Sequence, residues 1–470
     1  MFRAFIGKEY QRLNFFFYLL TFLTCFLFYS HTDALYTDAQ SILFFRHFHD
    51  FYSFNNQHLG LAPYLPSLYG VIALWNLPLE WLGLIDPSKI YQWALDYPVI
   101  NISHSEFFIF IAWYKVLICI MTVLSGFYLN KIAFQIGIKK PNSALLFFTS
   151  PFTIFFALIF SGYDIFSIFF TLVGIFYLFR NEKIKFSLFF SLAITFKFFP
   201  ALLYLPLLLI TEKKITNIFK FGIIALSSTS LLILIFHYDP YFFKNILFLA
   251  KEKTSFGSLS IKNALFIFSY CAICFYSYRF NNSKMFHKTV LLISYITYSS
   301  LFLFVKINPQ WVFLLIPFSV LLLSFFKDQR KYIVFEMLGF FSFIIICSHR
   351  WMNNIDQKMI AHGPLSYLLP KPFFTMASFY NFYSYKFIFF TLFYLFIFYP
   401  LVLFFLNEVK IKNKMSQKIN LRYLSIYFFI IPSFFSLLSL SLFLNDHSKL
   451  PSDSLDKSLK CLYSQCKKVF

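Results

Sequence analysis

The stretch Phe186–Ile210, FSLFFSLAITFKFFPALLYLPLLLI, decides the fold, because it is long enough for one membrane span yet carries Lys197 near its middle. An ammonium group at mid-bilayer costs at least ~2.5–3.5 kcal/mol, so an intramembrane lysine marks a candidate functional site. The flanks raise a second difficulty. Arg180-Asn181-Glu182-Lys183-Ile184-Lys185 precedes the stretch and Thr211-Glu212-Lys213-Lys214 follows it, and both basic flanks belong on the cytoplasmic side. One crossing cannot satisfy both. The stretch is therefore read as a re-entrant pair of half-helices, 186–197 and 199–210, meeting at Lys197-Phe198-Phe199-Pro200, where the proline ring disfavours helical geometry before it.

Outward from this stretch, apolar runs of membrane-spanning length recur, in a chain that is 59% hydrophobic and only 13% charged, and a soluble globular reading is excluded. Spans are read at 13–30, 106–129, 142–160, 164–180, 219–236, 261–278, 288–305, 311–326, 332–348, 386–407 and 421–444. With the stretch folded back on itself, the loops 1–12, 130–141, 180–185, 211–220, 279–288 and 327–331 carry three Lys or Arg each and 408–422 carries five. All then lie on one side, as cytoplasmic loops should. A single crossing would invert the last four of these loops. The fold class expected is thus all-α: a polytopic membrane protein of about 11 transmembrane helices plus the half-helix pair.

The expected organisation is a cytoplasmic N-terminus 1–12, a membrane domain 13–444 and a polar tail 445–470 on the outer side. The first apolar run reads as an uncleaved span, since no small-residue cleavage pattern follows it. The outer loop 31–105 contains an apolar segment, Tyr64–Ile85, interrupted by Pro66, Pro78 and Glu80, which reads as an interfacial helix. The net charge of +21 reflects the cytoplasmic loops; no clustered soluble face for nucleic acid accompanies it. Cys25, Cys119, Cys271, Cys274 and Cys347 read as core residues, whereas Cys461 and Cys466 could pair if the tail meets an oxidising compartment.

On this topology the polar residues that resist a lipid or packing explanation gather on the outer side. They are Asp33, Asp38, Asp164, Lys306, Gln310, His349 and Arg350, with Lys197 pointing toward them. Carboxylates beside fixed cations suit transfer of a group from a lipid phosphate: an acid removes the proton of an incoming hydroxyl, and the cations stabilise the departing phosphate.

The order Pro151, Ser161-Gly162-Tyr163-Asp164, a helix and basic turn, Lys197-Phe198-Phe199-Pro200 and Tyr204-Leu205-Pro206 resembles the core of GT-C type glycosyltransferases. The resemblance is to the GPI mannosyltransferase I catalytic subunit and to bacterial polyprenol-phosphate-mannose mannosyltransferases. Phe304-Val305-Lys306-Ile307-Asn308-Pro309-Gln310-Trp311 resembles the late family motif; Thr32-Asp33-Ala34-Leu35-Tyr36 and Ala62-Pro63-Tyr64-Leu65-Pro66 resemble the first outer loop. The likeness covers roughly 30–325 as three ordered segments. It implies inverting transfer of a hexose, mannose above all, from a polyprenyl-phosphate sugar on the outer or lumenal face. A first-loop aspartate would be the base, without cofactor or metal. Two departures stand out: Asp33 and Asp38 are five residues apart, leaving the choice of base open, and Tyr163 replaces a small or amide residue.

Each residue also has an ordinary reading. Asp33 and Asp38 could be loop acids, and Asp164 a cap at the start of its helix. Lys197 could pair with a buried carboxylate or snorkel to water, and Lys306 and Arg350 could be interfacial anchors. His31, His47, His49, His58 and His104 lack the close spacing of a zinc site. The implied partners are a lipid-linked sugar donor, a glycan or glycolipid acceptor and the membrane, with a small membrane subunit left open. Without a targeting feature, a bacterial cytoplasmic membrane is expected rather than the endoplasmic reticulum. The rival functions are a transporter or flippase for lipid-linked glycans, which predicts a polar path to both faces, and a membrane polymerase or ligase.

Overall fold

The computed structural model describes residues 18–95, 105–138, 142–248, 261–305, 309–325, 330–350, 363–365 and 386–406. Among these every regular element is helical, so the chain is all-α. Helix α1 (18–28) leads into a unit of four helices: α2 (Thr32–Ile42), α3 (Phe51–His58), α4 (Pro66–Trp81) and α5 (Pro87–Leu95). The bundle continues with α6 (Ser105–Gln135), α7 (Ser143–Thr149) and α8 (Pro151–Thr153), which runs on as a π-helix over Ile154–Ile159. Next come α9 (Asp164–Phe179), α10 (Lys183–Phe196), α11 (Phe199–Thr211), α12 (Ile215–Phe236), α13 (Phe242–Phe248) and α14 (Ile261–Arg279). Helix α15 (Phe286–Phe304), a 3-10 turn over Pro309–Leu315, α16 (Ile316–Leu323), α17 (Arg330–Arg350) and α18 (Lys386–Leu406) complete it. The expected span 421–444 lies outside the described residues.

The critical stretch folds as a hairpin of two helices. Lys197 is extended (φ −157°, ψ 137°) and ends α10, and Pro200 sits in the first turn of α11. There its missing N–H leaves no helical bond unmade. The break thus falls at Lys197-Phe198, between the expected half-helices 186–197 and 199–210. The chain does return to its start: Lys183 Nζ donates to Glu212 Oε2 at 2.9 Å and to the Thr211 carbonyl at 3.0 Å, and Phe186 stacks on Tyr204. The Glu212 Oε1 accepts the backbone N–H groups of Lys213 and Lys214. Although burial opposes it, the Lys214 N–H bond and the Lys183 ammonium hold the Glu212 carboxyl down at about 2.

The hairpin reaches further than a half-depth loop. Tyr177 stacks on Phe189 near one end of α9, and Phe166 and Phe170 stack on Phe196 near the other. Helices of 16, 14 and 13 residues therefore run side by side over ~20–24 Å. Lys197 accordingly sits level with the start of α9, at the end of the bundle, and not at its middle as the sequence suggests. Gly174 permits this closeness, because a Cβ there would lie 2.6 Å from the Phe190 ring.

The basic loops converge at the other end. Ser143 bonds Ser324 at 2.9 Å, Lys288 lies over Phe325, Phe179 meets His287, and Lys213 Nζ donates to the Ser277 carbonyl at 2.9 Å. The turns after α6, α9, α11, α14 and α16 thus share one end, and the α9–α8 turn and hairpin tip share the opposite one. Two described helices, Phe107–Gln135 and Ile215–Phe236, are long and apolar enough to cross a membrane; six shorter apolar helices of 10–17 residues accompany them.

The expected single span 142–160 is broken. Pro151 starts α8, and the Ser150 hydroxyl donates to the buried Glu336 carboxylate at 2.6 Å, so the chain bends between α7 and α8. The segment 64–85 does form a helix, α4, but one half sunk in the bundle: Leu68, Tyr69 and Ile72 are fully buried, while Trp81 and Leu82 are exposed. Trp75 and Trp113 exchange indole N–H bonds to each other's carbonyls, which ties α4 to α6. Asp239, after α12, accepts from the backbone N–H groups of Tyr52 and Ser53 and fixes the start of α3 from outside it.

Candidate functional site

The end opposite the basic loops is built on a tight turn. The π-helix closes with Phe160 N–H donating to the Phe155 carbonyl at 2.7 Å, and Gly162 N–H to the Phe156 carbonyl at 2.8 Å. Ser161 between them is left-handed (φ 56°), a conformation that strains a residue bearing Cβ by roughly 1–2 kcal/mol. The Tyr114 hydroxyl donates to the Ser161 carbonyl at 2.9 Å, and Ser30 bonds its hydroxyl, so neighbours on α6 and at the start of α2 hold the turn. Such non-glycine strain concentrates at functional sites.

The turn delivers Tyr163 and Asp164. Tyr163 occupies the cap position of α9 without a side-chain cap bond, and Asp164 is the first helical residue. Asp164 stands in the first turn of α9, where an acid is electrostatically favoured, and its Oδ1 accepts a hydrogen bond from Lys197 Nζ. Both side chains are nearly sealed, at 6% and 5% exposure for Lys197 and Asp164. Neither charge tolerates that burial alone; paired, each offsets the other's lost hydration. Of the ordinary readings of Lys197, pairing with a buried carboxylate is thus the observed one, and snorkelling toward the basic end is not.

Aromatic rings enclose the pair. The Lys197 ammonium lies 5.3 Å from the Tyr64 ring, 5.3 Å from Tyr163 and 5.8 Å from Trp311. Each contact is worth roughly 0.5–2 kcal/mol by attraction to the ring face. Tyr163 donates its phenolic hydrogen to the Tyr64 oxygen, joining the two rings. Trp311 packs against Phe199, and the Ser67 hydroxyl donates to the Thr195 carbonyl, which pins α4 to the tip of the hairpin. Gln310, beside Trp311, is buried, and its Oε1 has no hydrogen-bond partner among the described residues.

The first-loop acids lie on α2, whose start packs on this turn through His31 stacked on Phe160. Asp33 is the second residue of that helix. Asp38 lies about 140° around the helix from it. Asp38 is fully buried; its Oδ1 accepts from Asn76 Nδ2 at 2.7 Å, and its Oδ2 has no partner among the described residues. Burial pushes the Asp38 carboxyl well above its ordinary 3.8, against the lowering effect of the Asn76 bond. Tyr114 lies within electrostatic reach of Asp38, Asp164 and Tyr64, so the acids share one region.

Arg350 ends α17 on the same side of the bundle, and Lys306, Cys461 and Cys466 lie outside the described residues. Among the described residues no group of three His, Cys, Asp or Glu is arranged to hold a metal ion. His47 stacks on Phe54, and His58 lies against the same ring.

Among the described residues, the buried charges Lys115 and Glu336 inside apolar runs escape a reading of the sequence. Lys115, on α6, donates to the carbonyls of Cys25 (3.0 Å), Leu158 (2.7 Å) and Tyr29. Glu336, on α17, receives the Ser150 hydroxyl. Both announce themselves as charges within apolar runs, the signal that singles out Lys197, but no conflict of flanking charge draws attention to them.

No family model, curated protein or solved structure matches this chain.

Proposed function

We propose that this chain is a multi-pass integral-membrane glycosyltransferase of GT-C type, with about 11 spans and its basic loops cytoplasmic. It moves a hexose, mannose in the first instance, from a polyprenyl-phosphate sugar to a lipid- or glycan-linked acceptor on the outer face, with inversion. The observation that carries the reading is the Lys197–Asp164 pair boxed by Tyr64, Tyr163 and Trp311 at the end opposite the basic loops. A cation at that level would meet a lipid phosphate where headgroups lie, and the rings offer the apolar faces on which a sugar packs.

In the transfer, the acceptor hydroxyl gives its proton to the Asp33 carboxylate. Its oxygen bonds to the sugar C1 as the bond from C1 to the phosphate oxygen breaks on the other face. The electron pair leaves with the polyprenyl phosphate, and Lys197 compensates that charge. Asp164 holds Lys197 in place beforehand; the described structure gives the ammonium one hydrogen bond, so two of its N–H groups remain to meet phosphate oxygens.

One observation weighs against a transport path. Between the Ser150–Glu336 bond and Ser161 lie Phe152, Phe155 and Phe156, buried against Phe313, Phe340 and Phe343. This aromatic layer separates the polar clusters of the two ends and supports a one-sided site. The test is transfer by the purified protein with a panel of radiolabelled polyprenyl-phosphate sugars. Turnover on at least one donor is expected; none on any donor overturns the reading.

A further inference from the structure

Two aspartates stand on α2, Asp33 in its first turn and Asp38 about 140° further around the helix. Asp38 is sealed from solvent between α2 and α4, with one oxygen bonded to Asn76. Asn76 follows Trp75, whose indole and carbonyl are locked to Trp113 on α6. The next residue of α6 is Tyr114, which bonds the strained Ser161 turn that presents Asp164. A continuous path of bonded side chains and backbone thus runs from Asp38 to the Lys197 pair. No acceptor hydroxyl can reach a carboxyl with no exposed surface, so proton abstraction by Asp38 has no approach.

We propose that Asp38 is a positioning residue, whose bond to Asn76 sets α2 against α4 and leaves Asp33 as the proton acceptor. The proposal rests on the transferase reading for Asp33's role, but Asp38's own part is independent of it. Burial favours the proton-bearing form of the carboxyl that makes this bond. An amide of the same shape replaces such a group without loss, whereas an apolar side chain leaves the Asn76 N–H buried and unpaired.

Among the described residues, the Tyr114 phenol from α6 lies within electrostatic reach of Asp38, and Asn76 from α4 is its neutral bonding partner. The sign of the pH dependence follows. The folded carboxyl holds its proton above the pH at which the unfolded one releases it. Wild-type stability therefore falls as pH climbs from about 3.8 toward neutrality, and Asp38→Asn removes that fall.

The test compares Asp38→Asn, Asp38→Leu and Asp33→Asn in detergent-purified protein. Asp38→Asn is expected to keep turnover within about 3-fold with an unchanged pH profile, and Asp38→Leu to lose about 10-fold or more, restored by Asn. Asp33→Asn is expected to lose about 100-fold or more, the scale of a lost general base. An Asp38→Asn loss as deep as that of Asp33→Asn, or a displaced acidic limb of its profile, overturns the proposal. If wild type turns over no donor, the transferase reading fails while the thermal midpoint still decides Asp38. Asp38→Asn should melt above wild type at pH 7, by a margin that vanishes near pH 4, and Asp38→Leu below it. An Asp38→Asn midpoint lowered at pH 7 overturns the role.

Discussion

Lys115 and Lys197 are both buried lysines in apolar helical sequence, but the molecule satisfies them in opposite ways. Lys115 points its ammonium at three backbone carbonyls, those of Cys25, Tyr29 and Leu158, from the end of α1 and the π-helix. All three of its N–H groups are used, and each partner is a fixed piece of main chain. A cation at helix C-terminal carbonyls also answers their partial negative charge. Lys197 has instead one carboxylate and three ring faces. Its partner is a side chain on a strained turn, and among the described residues its capacity is not filled. The first lysine joins elements; the second, on the proposed function, meets the donor phosphate. Burial of a charge alone does not tell the two apart, and the count and type of its partners does.

The largest effect that would sharpen this contrast comes from removing Asp164. Asp164→Leu leaves the Lys197 ammonium buried without its counter-charge, which should cost about 3–5 kcal/mol and be seen as a deep fall in thermal midpoint. The double variant Asp164→Leu/Lys197→Met should recover most of that stability while turnover stays lost. A single variant as stable as wild type would mean that the pair is not sealed from water as described.

Lys115→Met should come next, with a loss of about 2–3 kcal/mol for carbonyls left without donors. Its turnover per folded molecule should equal that of wild type. Loss of turnover without loss of stability would erase the distinction between the two lysines.

Much of the helical framework is legible in the sequence, because apolar runs and basic flanks are local signals. The opposed basic flanks of Phe186–Ile210 predict a hairpin, and Lys183 bonded to Glu212 closes one. Its depth is not legible: the span 164–180 is read at nearly the length of α9, but nothing in the sequence says that α10 packs along all of it, which brings Lys197 level with Asp164. The pairing of those residues joins positions 33 apart, and no periodicity encodes it. The break at Ser150-Pro151 hides inside a run apolar enough for one span, and depends on Glu336 from a distant helix. Tyr64 follows Pro63 and Trp311 stands two residues after Pro309, but their convergence on one ammonium is a tertiary fact.

The central claim is that Lys197, unlike Lys115, acts on the donor phosphate. The most direct measurement is single-turnover transfer by Lys197→Met, made with the donor that wild type uses best and normalised to folded protein. A loss of about 100-fold or more is predicted, the scale of a cation withdrawn from a developing phosphate charge. Transfer within a few-fold of wild type would contradict the account and leave Lys197 as a structural lysine paired with Asp164.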